Sequence, residues 1–296
     1  MEQILVIMIS FGAPLLTVLA IVFLFIAIKA VRKQFSKPSS WQVLKILLPP
    51  EDNKDLLSEI RLSMQLFNFL ASFKQLFSLE TAVHNVGEEI SFYIAVPKNL
   101  VDSIDKKVRD LWPGSSVQKT ENYTIFNEDG ISKLIYIKQK DNYSIPIQTA
   151  VESGHDTFLP ILNNFSKVEL VGEGLAMQIL AKPVSIFEKK SAGSKKSKPI
   201  LSINARLAIS AMSPYRAEEL AHDLNAAFSS FSAPERNSLR VAESRNQKEA
   251  FLNFIDRKFD NSQTMILTDE ELASIWHLPS SSSEIPKIKW VPKRQF

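Results

Sequence analysis

The sequence predicts an α+β protein in which an N-terminal transmembrane helix precedes two tandem βαββαβ-type modules. Three observations lead there. The first is an uncharged apolar run from Ile4 to Ile28. The second is a β-α-β-α-β succession of hydrophobic patterns that starts at Trp41. The third is that the plan recurs: FYIAVP leads into NLVDSIDKKVRDLW, and LAISAMSP leads into AEELAHDLNAAF. Each joint is a hydrophobic strand, a proline at a helix start, where its missing N–H costs nothing, and an amphipathic helix. The recurrence is one of pattern, not of residue identity. This succession is that of a ferredoxin-like split sandwich, with helices over one face of a sheet.

The chain divides on this reading into an anchor with its basic flank (1–37), a first module (38–128), a second module (129–262) and a tail (263–296). Residues 4–28 would span about 37 Å as a helix at about 1.5 Å per residue, enough to cross a bilayer. Gly12 and Pro14 interrupt the run, which a membrane helix tolerates. Glu2 precedes it, and Lys29, Arg32, Lys33 and Lys37 follow it. The positive-inside rule then implies a single pass with the N-terminus outside and the bulk of the chain cytoplasmic.

In the first module, WQVLKILLPP (41–50) reads as a strand stopped by two prolines, which cannot donate to a ladder. Leu56, Ile60, Met64, Phe67 and Leu70 follow at helical spacing. EEISFYIAVP (88–97) is a strand rich in β-branched and aromatic residues. Leu100, Ile104, Val108 and Leu111 then share a helix face, and PGSSVQ turns the chain into another short strand.

The second module begins with SKLIYIKQK (132–140), followed by a short helix in DTFLPILNNFSKV (156–168). GLAMQILAKP (174–183) and ILSINARLAISAMS (200–213) are strands, YRAEELAHDLNAAF is a helix, and SLRV is a last edge. Between the two long strands lies FEKKSAGSKKSKP (187–199), read as a flexible solvated loop because so lysine-rich a stretch has no core to form. Its Lys189, Lys190, Lys195, Lys196 and Lys198 are candidate contacts for phosphate or lipid headgroups.

In the tail, Thr268 is a fitting N-cap with Glu271 in the capping-box position. Leu272, Ile275 and Trp276 are spaced to dock the helix on the second module. Beyond Pro279 the serine run implies an unfolded linker with Trp290 exposed. Trp276 and Trp290 are the candidate partner contacts.

Composition excludes several chemistries. With no cysteine there is no disulfide, thiol nucleophile or thiolate metal site. The histidines, His84, His155, His222 and His277, are too far apart in sequence for a helical metal pair. None of the eight glycines builds a phosphate loop, and GEGL (172–175) has an acid where a phosphate needs backbone N–H groups. There is no nucleophile elbow and no zinc-protease motif. The reading is therefore of no catalytic residue, no cofactor, no metal and no enzyme. A net charge of +3 does not itself argue for nucleic acid. A DNA-guiding alternative would use the lysine loop together with Lys287, Lys289, Lys293 and Arg294.

Several stretches taken in order carry a resemblance: WQVLKILLPPED, FSLETAVHNVGEEISFYIAVP, DLWPGSSVQKTENY, DNYSIPIQT, LVGEGLAMQILAKP and ILTDEELASIWHLP. Together, from about residue 38 to 290, they resemble the non-ATPase N-terminal region of bacterial type IV secretion or conjugation coupling-protein-like ATPases of candidate-phyla bacteria. In that family the stretch resembling LTDEELASIWHLP stands ahead of a motor of the HerA/FtsK type. The resemblance implies a scaffold anchored in the bacterial cytoplasmic membrane that works with a hexameric ATPase, in cis or as a separate chain, with DNA as a further candidate partner and a ring homo-oligomer in the assembled system. An accessory role in cell-envelope assembly is the third reading. The family's nucleotide-binding residues fall past Phe296, so none is carried over, and the ATPase is expected either as a missing continuation or as a separate gene product.

Overall fold

The computed structural model describes residues 41–50, 55–84, 89–244, 246–279, 285 and 287–291. The chain enters with β1 (Trp41–Leu47), where alternation sends Leu44 and Ile46 to one face and Val43 to the other. Helix α1 (Leu56–Ser72) follows, then β2 (Phe77–His84), β3 (Ser91–Pro97), α2 (Val101–Leu111) and β4 (Ser116–Thr120). The next stretch holds β5 (Ile131–Gln139), the short helices α3 (Ala150–Ser153) and α4 (Leu159–Phe165), and β6 (Gly174–Pro183). Helix α5 (Ile186–Ser191), β7 (Ile200–Ala211), α6 (Pro214–Ala227) and β8 (Leu239–Glu243) complete the repeat of the plan. Helix α7 (Gln247–Ile255), β9 (Met265–Thr268) and α8 (Asp269–Ile275) come last.

The expectation of two tandem ferredoxin-like modules is corrected by the sheet. The strands form one nine-stranded antiparallel sheet in the order β4-β1-β3-β2-β6-β7-β5-β8, with β9 on β7. Counted within its own half, each set of four lies in the order 4-1-3-2. The sets meet where β2 pairs with β6, from Phe77 opposite Ala181 to His84 opposite Gly174. Two edges that would each offer unpaired N–H and C=O groups satisfy one another instead. The described residues form one compact unit. Leu79, Ile94, Ile179 and Leu207 from both halves share the large core beneath the helices. A smaller cluster on the opposite face holds Val43, Tyr93, Tyr136, Ala208 and Phe254 under α7 and the 121–130 segment.

The membrane localisation is corrected too. Among the described residues no helix is long and apolar enough to cross a membrane. The longest of them, α1, has 17 residues and carries Glu59 and Arg61. The run 4–28 and its basic flank, on which the single-pass arrangement rested, lie outside the described residues.

The tail departs from expectation in two ways. Strand β9 pairs with β7 of the second half, from Ile200 opposite Thr268 to Ile203 opposite Met265, while α8 lies on α1 of the first. Trp276 is 0% exposed and packs on Phe67 and Phe92 of the first half, while Glu271 and Ser274 of the same helix accept from the Ile147 and Ala150 N–H groups of the second, so the helix docks on both halves. Beyond Pro279, Ile90 N–H donates to the Lys287 carbonyl at 2.6 Å and Val291 N–H donates to that of Leu48 at 2.8 Å. Trp290 is half-buried against the main core rather than exposed. The apolar Ile285, Ile288 and Trp290 give this stretch a face to bury.

The lysine-rich segment is likewise structured. Ser185 caps α5 through a capping box with Glu188, and the following 3-10 turn buries Lys195.

Candidate functional site

Alternation along the strands sends a row of polar side chains to the helix-poor face. Lys45, Tyr93, Glu80, Gln178, Arg206 and Tyr136 lie in register across β1, β3, β2, β6, β7 and β5. Helix α7 and the turn after it lie over the middle of this row. That turn carries Arg257 in left-handed backbone, φ 50°, a conformation that costs a non-glycine residue energy.

Arg257 meets Glu80 in a bidentate pair: Nε donates to Oε1 at 2.7 Å and Nη2 donates to Oε2 at 2.9 Å. Its Nη1 donates to Asn122 Oδ1 at 2.8 Å. Glu80 also accepts from Ser78 Oγ at 2.6 Å, Tyr123 Oη at 2.8 Å and Gln178 Nε2 at 3.1 Å. Burial alone would raise the Glu80 carboxyl, but the Arg257 guanidinium and these hydrogen bonds outweigh it and hold the group below the usual carboxylate value. Burial, then the adjacent Glu80 charge, lifts the Tyr123 phenol well above the usual tyrosine value. Tyr123 stacks on Tyr93 with ring centroids 4.6 Å apart.

Gln178 is the exception to this saturation. Its Nε2 donates to Glu80 and to the Phe254 carbonyl, both at 3.1 Å. Those two acceptors fix the amide's orientation, and Oε1 is left buried without a partner. Gln178 and Arg257 line a cavity of about 250 Å³ walled by Tyr123, Ile125, Phe126, Phe254 and Ile255. Further along the row, Arg206 donates from Nη2 to the Lys258 carbonyl and lies 5.8 Å from the Tyr136 ring centroid. Its Nε and Nη1 have no partner, and burial lowers its pKa to about 10.

As chemistry, the Glu80 centre is closed. Both carboxylate oxygens already accept hydrogen bonds, so the group is held ionised with its lone pairs engaged and offers no free general base. Among the described residues no cluster of three histidine or acidic side chains could hold a metal ion.

The residues singled out from sequence lie elsewhere. Lys189, Lys190, Lys196 and Lys198 are at the surface, whereas Lys195 is buried beside Glu271, Nζ to Oε1 2.8 Å. Lys198 faces Glu270 at 3.3 Å. Lys287 Nζ donates to the Ser166 and Val168 carbonyls, and Lys289 pairs with Glu89 at 2.9 Å. Lys293 and Arg294 lie outside the described residues. Lys195, Lys198, Lys287 and Lys289 are thus each engaged with a different partner. Trp276 offers no surface to a partner, and its indole N–H is taken by Thr81. Sequence reasoning missed Glu80, Gln178, Tyr123 and Arg257. The available signal was a polar residue inside two hydrophobic runs, FSLETAV and GLAMQILA.

No family model matches the chain, and no curated protein matches it. Among solved structures it is similar to 6-hydroxy-D-nicotine oxidase from Arthrobacter nicotinovorans, with 13% identity and TM-score 0.35 over 76% of this chain and 53% of that one. The chain thus matches about half the length of that oxidase. It is also similar to an unknown protein from Galdieria sulphuraria, with 10% identity and TM-score 0.23 over 69% of this chain and 99% of that one. A third is a mutant chlorite dismutase from Candidatus Nitrospira defluvii in complex with cyanide, with 7% identity and TM-score 0.23 over 76% and 98%. At these scores the likenesses carry no argument about function.

Proposed function

We propose that the chain is a non-enzymatic assembly domain of a type IV secretion or conjugative DNA-transfer machine, working with a hexameric translocation ATPase. The observation that carries this reading is the placement of ILTDEELASIWHLP. This stretch, which resembles the lead-in to a motor, is a strand and helix built into the sheet and core of both halves. A scaffold that holds a force-generating ring needs such a rigid joint, because a flexible linker would absorb displacement. The saturated Glu80 centre supports the non-enzymatic part. A ring of copies around the motor would form only with the ATPase, since heterologous contacts must close on its symmetry.

Sedimentation velocity of the full chain mixed with the HerA/FtsK-type ATPase of the same genome tests the reading. The chain should join the ATPase in a larger species and should not hydrolyse ATP alone. Failure to associate, or ATP turnover by the chain itself, would contradict it.

A further inference from the structure

We propose that the cavity over Gln178 and Arg257 binds a small neutral planar molecule carrying an N–H beside a carbonyl, such as an aromatic amide or a lactam. The assignment is independent of the secretion reading. It rests on a mismatch between the cavity's walls and its floor. The walls are mainly apolar and largely aromatic, from Tyr123, Ile125, Phe126, Phe254 and Ile255, with Thr124 and Asn122 beside them. Roughly 150 Å³ of apolar cavity admits one benzene ring, so about 250 Å³ takes a ring with a small polar substituent.

The floor specifies what that substituent must be. Gln178 is 1% exposed, and its amide cannot turn over without giving up both the Glu80 and the Phe254 acceptors of Nε2. Its Oε1 is therefore a fixed acceptor lacking a donor. A protein that buries such an atom gains when a ligand supplies the missing hydrogen. Arg257 provides the complementary half. Of the five N–H groups of a guanidinium, two go to Glu80 and one to Asn122, so Arg257, which lines the same cavity, keeps N–H capacity for a ligand carbonyl. Because Glu80 neutralises Arg257, the floor has no net charge. It therefore favours a neutral donor–acceptor edge over an anion.

Saturation-transfer NMR on the full chain, with benzamide and methyl benzoate as probes, tests this. The two are similar in size and both have the carbonyl, but only benzamide has the N–H. Benzamide should bind saturably, with methyl benzoate at least tenfold weaker. Ile255, half-exposed at the rim, can be enlarged without touching the floor. Ile255→Trp should weaken benzamide at least tenfold while leaving the thermal midpoint unchanged. Absence of saturable benzamide binding, equal binding of both probes, or full retention of binding in Ile255→Trp would each overturn the proposal.

Discussion

The indole nitrogen of Trp276 donates to the hydroxyl of Thr81 at 2.9 Å, joining residues 195 apart in sequence inside the core. Thr81 stands on β2, the strand through which the two halves of the sheet meet, so the tail helix is fastened to the seam itself. Trp276→Ala removes the ring from between Phe67 and Phe92 and leaves the Thr81 hydroxyl buried. It should cost about 3–5 kcal/mol of stability. Trp276→Phe keeps most of the apolar volume but loses the hydrogen bond, and should cost about 1–3 kcal/mol. Urea unfolding measures both, and an alanine variant within about 1 kcal/mol of wild type would show that the helix is merely peripheral.

The Glu80–Arg257 pair should behave as a unit. Arg257→Leu alone strands a buried carboxylate and should cost about 3–5 kcal/mol. Replacing both residues by leucine removes the charges together and should cost far less than the two single changes summed. Additive losses in this double-mutant cycle would mean that the two residues act independently.

How much of this could be read from sequence depends on where each element's partners lie. The strands at 91–97, 131–139, 174–183 and 200–211 announce themselves through hydrophobic runs, and α1, α2 and α6 through helical spacing. Strand β2 does not. FSLETAVH alternates Phe77, Leu79, Thr81 and Val83 with Ser78, Glu80, Ala82 and His84, so its pattern is strand-like only if Glu80 has a buried counter-charge. That counter-charge, Arg257, lies 177 residues away. With β2 unread, the pairing that fuses two modules into one sheet was also unreadable. The lysine segment was hidden in the same way, because the buried partners of Lys195, Glu271 and the Ile266 carbonyl, lie about 70 residues on in the tail. Capping, by contrast, is local chemistry, and the Thr268–Glu271 capping box forms as the sequence implied.

That Lys195 contact makes its own prediction. Lys195 also donates to the Ile266 carbonyl on β9 at 3.1 Å, so it pins the 193–197 turn to the tail. Lys195→Met should cost about 3 kcal/mol, because it leaves Glu271 as an uncompensated buried charge, and should speed amide exchange across 186–198. Unchanged exchange there would show that the segment is held by other contacts.

The Asp156–His277 pair sets a pH dependence. Burial alone would lower the His277 pKa, but Asp156, 3.5 Å away, outweighs it and raises the imidazole above its ordinary value. Burial would raise the Asp156 carboxyl, yet the His277 charge prevails and lowers it below 3.8. A raised histidine stabilises below its unfolded pKa and loses that contribution as pH rises through the folded value. A depressed aspartate stabilises above its unfolded pKa and loses that contribution as pH falls through the folded value. The pair is therefore strongest between those limits. The stability difference between wild type and His277→Gln should be largest near pH 5.5 and shrink towards pH 9. A difference that grows with pH would reverse the assignment.

One sheet, sealed at β2–β6 and locked by β9 and α8, should unfold as one unit. Native-state hydrogen exchange across a denaturant series tests it most directly, by following the slow backbone amides of Leu79 on β2, Ile179 on β6, Ile209 on β7 and Trp276 after α8. All four should converge on one opening free energy and one denaturant slope. Two well-separated plateaus, with Leu79 in one group and Ile209 in the other, would contradict it.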